Sequence, residues 1–218
     1  ARSTLVRHLR SDGEADAVAL AERVAACAPD RPCNSGACPV CGLRFQQKAA
    51  GLVERFIRAP SREVRGRAHM LTIIPAEGVI ELGRLDPDDF SAVRALVRRL
   101  FEKLRLPPAI IGIEAAAHED PTRSVEPIWV IHAHALGVDW LTEAERNELG
   151  SEVSAHPRVK RPVKYQALDA RPNADLYPFK PQRERSVTNW VRNERGDPTR
   201  DRESKDRPLR PDQAVELA

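Results

Sequence analysis

The 218-residue sequence has no apolar run approaching the roughly 20 residues that a bilayer-spanning helix requires, and its opening, ARSTLVRHLR, lacks the apolar core of a secretory signal. The expectation is a cytoplasmic chain with no membrane partner. It also lacks internal repeats and any glycine-rich, lysine-bearing loop of the kind that cradles nucleotide phosphates, which excludes a P-loop motor. Charge of one sign is not in excess: 35 Lys and Arg stand against 32 Asp and Glu, a net of +3. A pI near 8.8 permits nucleic-acid binding without demonstrating it. Basic residues do cluster, in RFIRAPSREVRGR, RALVRRLFEKLRL and RVKRPVK, where they can follow a phosphate backbone or sit on solvated faces. Tyrosines number two and cysteines four. The first residue is not methionine, as expected of a piece of a longer chain.

The length holds one substantial core and a small satellite module. Apolar residues at helical spacing predict helices over 13–26 and 43–59. The clearest helix is LDPDDFSAVRALVRRLFEKLRL, with acidic residues in its first turn and Pro107 and Pro108 beyond its end. AHMLTIIP (68–75), AIIGIEAAA (109–117) and PIWVIHAHALGV (127–138) read as strands, the last two as antiparallel neighbours. A helix in LTEAERNELGSEVSA and a strand in RPVKYQALDA follow. From about residue 183 charge and proline dominate, predicting a disordered tail that buries too little surface to offset its chain entropy. The fold class expected is α+β: a central antiparallel sheet flanked by helices over 67–182, preceded by a helical module over 1–66 and followed by the tail, 183–218.

All the cysteines lie in CAPDRPCNSGACPVCG: Cys27, Cys33, Cys38 and Cys41. A C-x2-C step holding Pro39 and followed by Gly42 makes a tight knuckle whose thiolates can point at one ion, and Cys27 and Cys33 can close a tetrahedral Zn²⁺ site. Four thiolates leave no open position, so this zinc is structural, holding the N-terminal helices together and presenting them to DNA. His8 is the alternative to Cys27 as fourth ligand. Disulfides are the competing reading, disfavoured in a reducing cytoplasm.

In PIWVIHAHALGV, alternation puts His132 and His134 side by side on one strand face, with Ile131, Ala133 and Ala135 on the other. That geometry suits one shared metal ion or a pair of hydrogen-bonded, half-buried imidazoles. Glu114 interrupts the neighbouring apolar strand, sharing a face with Gly112 and Ala116, and a carboxylate there needs a metal or a basic partner. Glu126 is the fallback carboxylate; His118, Glu119 and Asp120 read as loop residues. Tyr177, with Lys180 three residues on, and Tyr165 are the candidate phenols for covalent attack on a phosphodiester.

The ordered set CNSGACPVCGLRFQ, HMLTIIP, IIGIE, IHAHAL and YPFK, spanning about residues 27 to 181, resembles the HUH endonuclease superfamily, specifically the rolling-circle replication initiators of plasmids and phages. The resemblance implies Mg²⁺ or Mn²⁺ held by His132, His134 and Glu114, a nucleophilic Tyr177 and a helper Lys180. It implies nicking of single-stranded origin DNA to leave a 5′-phosphotyrosine and a free 3′-hydroxyl, with a host helicase and polymerase as partners. The family carries its tyrosine on a helix, whereas Pro178 restricts Tyr177 to extended geometry, so Tyr165 stays in reserve. A transposase or relaxase shares this chemistry, and a zinc-containing DNA-binding regulator shares the fold without it.

Overall fold

The computed structural model describes residues 2–57, 68–120, 125–138, 141–168, 179, 184–187, 190–192, 198–200 and 205–218. The chain is α+β. Its centre is β4 (Ile128–Val138), paired antiparallel with β3 (Ile110–Glu119) on one side and, on the other, with β1 (Ala68–Ile73) and the short β2 (Val79–Glu81). Beyond β1 lies β5 (Val163–Ala167), and beyond β3 lies β6 (Glu184–Val187); β7 (Trp190–Arg192) and β8 (Pro198–Arg200) pair antiparallel in a separate two-stranded sheet, and β9 (Lys205–Pro208) ends the main sheet next to β6.

Alternation along β4 decides which layer covers which face. Trp129, Ile131, Ala133 and Ala135 are fully buried on one side, where they meet α4 (Pro87–Lys103) and α5 (Glu143–Glu152) through Val93, Val97, Leu100 and Leu149. The opposite face carries the histidines. It is partly covered by α3 (Pro39–Ile57), whose Ala49 and Val53 pack on Met70, Leu136 and Phe179. Both helices on the first face begin on reciprocal caps: Asp86 with Asp89 for α4, and Thr142 with Glu145 for α5. Thr142→Ala is expected to cost about 1 kcal/mol in urea denaturation. The hydrogen bonds from Thr142 hold the Glu145 carboxyl below its usual range. With a folded pKa below the unfolded one, that contribution is present above the unfolded pKa and fades as pH falls through the folded one, so the penalty should narrow in acid.

α1 (Arg2–Asp12) and α2 (Ala15–Ala25) form a helical hairpin closed by Leu9, Ala17, Leu20, Ala21 and Val24. Gly13 turns the chain between them with φ +83°, a conformation that a side chain would strain. α1 was not legible in RSTLVRHLRSD, where only Leu5, Val6 and Leu9 interrupt polar residues.

Three expectations need correction. The sheet is mixed, because β6 runs parallel to β3. The described part of 183–218 is ordered structure, ending in α6 (Pro211–Glu216) with Leu209, Gln213 and Ala214 buried. Composition misled because this segment needs no core of its own: it docks on surfaces already formed, and its charges find buried partners. Glu119, expected in a loop with His118 and Asp120, lies with His118 in β3; it accepts hydrogen bonds from Gln213 at 2.6 Å, from Arg210 at 2.9 Å and from Arg185. Glu216 accepts from the Trp129 indole at 2.9 Å and from the Leu85 amide at 2.7 Å. Glu216→Ala strands a fully buried indole N–H and should cost about 1–3 kcal/mol, read by chemical denaturation. α6 also packs Ala214 and Val215 against the α1–α2 hairpin, so the helical module is closed by both ends of the chain.

Candidate metal centres

Register builds the first site. His132 pairs with Glu114 and His134 with Gly112 across β3 and β4, while Thr72 of β1 pairs with His134 from the other side. Directly opposite residues share a face, so Glu114, both histidines and Thr72 converge. One Glu114 oxygen, Oε1, lies 3.2 Å from His134 Nε2 and 3.5 Å from His132 Nδ1. One ligand atom from each of the three residues falls within 4.8 Å of the others, a separation that one ion can bridge. Glu114 and His134 are 7% and 4% exposed, so a charged carboxylate is held where only a cation or charged imidazole makes it affordable.

Thr72 adds what sequence reasoning missed. Its hydroxyl is 2.9 Å from His134 Nδ1. The other His134 ring nitrogen, Nε2, is within hydrogen-bond distance of Glu114 Oε1; with Nδ1–H donating to Thr72 Oγ1, Nε2 would be the nitrogen that shares an ion with Glu114. The signal was there in HMLTIIP, a hydroxyl in an apolar strand, but only pairing connects residue 72 with residue 134. Gly112 stands opposite His134 in the register. His118 lies on the same face, its ring centroid 6.3 Å from that of His132. Glu126 is not part of the group.

The tyrosines separate. Tyr165 pairs with Leu71, which is fully buried among the residues beneath α4 and α5, so its ring lies on the face opposite the histidines, stacked on His69 at 5.0 Å with the Arg146 guanidinium 4.9 Å away. Burial pushes its phenol up from the usual value, away from a nucleophile's need. Tyr165 therefore does not face the carboxylate–histidine group. Tyr177 and Lys180 lie outside the described residues. Phe179, between them in sequence, is buried on the histidine side of the sheet against Met70, Leu136 and α3.

The second site gathers all four cysteines. Sγ of Cys41 is 3.6 Å from those of both Cys27 and Cys33, and Cys38 completes the group within 4.8 Å. None is in a disulfide. His8 is not part of the group, so Cys27 keeps the fourth position. Cys38 stands just before α3, accepts the first helical bond from Gly42 and has Pro39 at the first helical position. Burial pushes the Cys33 thiol up to about 12, against the Ser35 amide. Burial also raises Cys38, although the Cys41 and Val40 amides at the helix start favour its thiolate. At Cys27 burial opposes ionisation, but the Cys33 amide and the neighbouring thiols outweigh it and lower the value. Burial thus resists several thiolates side by side until a cation offsets them. Gly36 lets the chain end close over this loop: a Cβ there would meet the Leu217 carbonyl oxygen at 2.7 Å.

Among the described residues no helix is long and apolar enough to cross a membrane. Comparisons with protein-family models, curated proteins and solved structures find no match.

Proposed function

We propose that the chain is a DNA-nicking and strand-transferring endonuclease of the HUH type, a rolling-circle replication initiator acting on single-stranded origin DNA. The observation that carries this reading is the convergence of Glu114, His132 and His134 on one sheet face. One carboxylate and two imidazoles suit Mg²⁺ or Mn²⁺, which when bound supplies Lewis-acid polarisation of a phosphodiester and a template for its orientation. Thr72 orients His134, and Glu114 holds the negative charge that the site requires. The Tyr177 phenol attacks phosphorus and the bond to the 3′ oxygen breaks. The proton lost by the phenol balances the one gained by the 3′ oxygen, so one phosphodiester is exchanged for another and the 5′ end stays on the protein. Lys180 offsets charge developing on the phosphate. A host helicase and polymerase in the cytoplasm would open the duplex and extend the 3′-hydroxyl.

The cysteine cluster fits a structural Zn²⁺. A tetrahedral ion with zinc–sulfur bonds of about 2.3 Å sets sulfurs about 3.8 Å apart, close to the observed 3.6 Å.

Incubation with single-stranded origin DNA and Mn²⁺ tests the proposal: a covalent protein–DNA adduct that survives denaturation is expected. Binding without any adduct would favour the second reading, a zinc-containing DNA-binding regulator, to which Pro178 directly after Tyr177 lends weight. A transposase or relaxase would give the adduct on a different target sequence.

A further inference from the structure

One surface outside both metal groups combines charge and exposed apolar side chains. At about 3.6 residues per turn, Arg44, Phe45, Lys48, Leu52 and Arg55 of α3 fall within roughly a 100° arc, while Ala49 and Val53, which face the sheet, lie beside it. Phe45 is 60% and Leu52 54% exposed. Scattered surface apolar residues need no explanation, but these sit among three cations, none of which forms an ion pair among the described residues. Glu54 points to another part of the helix surface.

This flank also adjoins the first metal group. Phe45 meets Phe179 edge to face, with ring centroids 6.3 Å apart. Phe179 packs on Met70 and Leu136, which lie two residues along their strands from Thr72 and His134 on the same face. A path of neighbouring side chains therefore runs from the carboxylate–histidine group to Phe45.

We infer that this flank of α3 is a track for single-stranded DNA, with Phe45 stacking on a base and Arg44, Lys48 and Arg55 neutralising phosphates. The inference deepens the proposed function and rests on it for the identity of the strand. An exposed ring bordered by cations matches a polyanion bearing flat apolar bases; an apolar protein partner would leave the three cations unanswered.

The test is anisotropy of a labelled oligothymidylate on the full chain across a salt series without added divalent ions, with adduct formation measured in parallel. Phe45→Ala should weaken binding by about 10-fold, and Phe45→Trp should retain it. The combined Arg44→Gln, Lys48→Gln and Arg55→Gln variant should reduce the slope of log affinity against log salt by about 2. Far-UV circular dichroism is expected to match the parent, because Phe45 is mostly exposed and Ala49 and Val53, which pack on the sheet, are unchanged. Parent-like binding in both variants overturns the inference whatever the adduct assay gives, as does failure of the parent to bind at low salt. Loss of self-association in Phe45→Ala with DNA affinity unchanged also overturns it, making the surface an interface between copies. Phe45-dependent binding without an adduct from the parent chain supports the track and sinks the nicking reading alone.

Discussion

A Tyr177→Phe chain is expected to form no covalent adduct with origin DNA while binding it almost as the parent does, and His134→Ala should lower metal-dependent cleavage by about a thousandfold. In the proposed reaction the first effect would be total, because the phenolic oxygen would be the atom that enters the new phosphodiester. The second is large because a missing imidazole forfeits several kcal/mol of charge stabilisation, at about 1.4 kcal/mol per tenfold in rate. Tyr165→Phe should leave the adduct intact, since that ring sits under the helices on the far face of the sheet. Thr72→Val keeps shape but removes the oxygen 2.9 Å from His134 Nδ1, and should cost about 10- to 100-fold in both cleavage and Mn²⁺ affinity measured by calorimetry. Thr72→Ser should restore most of each, which a merely structural role for the hydroxyl would not predict. An adduct surviving in Tyr177→Phe, or undiminished cleavage in His134→Ala, would refute the assignment.

On the structural-zinc reading proposed above, treating the chain with a chelator, or replacing Cys41 with serine, is expected to unfold the helical module. Cys41 Sγ lies 3.6 Å from the sulfurs of both Cys27 and Cys33, so its loss removes a contact to each. The packing around it is thin: Leu9, Leu20 and Val24 are its largest buried side chains, and the rest of the buried set is alanine and cysteine. Structural zinc contributes roughly 10–16 kcal/mol of apparent binding energy in small modules, more than such a core supplies. Loss of far-UV helical signal on chelation is the direct readout. A second consequence should follow in the sheet, because α6 packs on this module and carries Glu216 to Trp129. Thermal unfolding of the whole chain should therefore move to lower temperature. Metal binding displaces thiol protons, so occupancy should fall on acidification. A chain indifferent to chelators but sensitive to reductants would instead hold disulfides. His132→Ala and His134→Ala should leave the zinc content unchanged, since the two groups share no residue.

The legible features were those written in short-range pattern. The α4 stripe, its acidic start and its prolines give a helix near its observed bounds, and strict alternation in PIWVIHAHALGV puts both histidines on one face. The cysteine spacing was enough to predict a single cluster. Glu114 was recoverable as a carboxylate in an apolar strand next to the histidine strand. Thr72, the position of Tyr165 and the role of the last residues were not. Each depends on which strand pairs with which, and in what register: a shift of one residue in β5 would turn Tyr165 toward the histidines.

By itself, then, the sequence determined the local periods and the donor types: two imidazoles on one face, a carboxylate in a neighbouring strand, four thiols within residues 27–41. Tertiary structure alone decided that Glu114 faces His132, that Thr72 backs His134, and that a charged C-terminal segment becomes a clamp on Trp129 and Glu119. The physical reason is range. Side-chain alternation and helical spacing act over a few residues, whereas a buried charge is satisfied by whichever partner the packed chain brings to it, here from 94 residues away for Glu119 and Gln213.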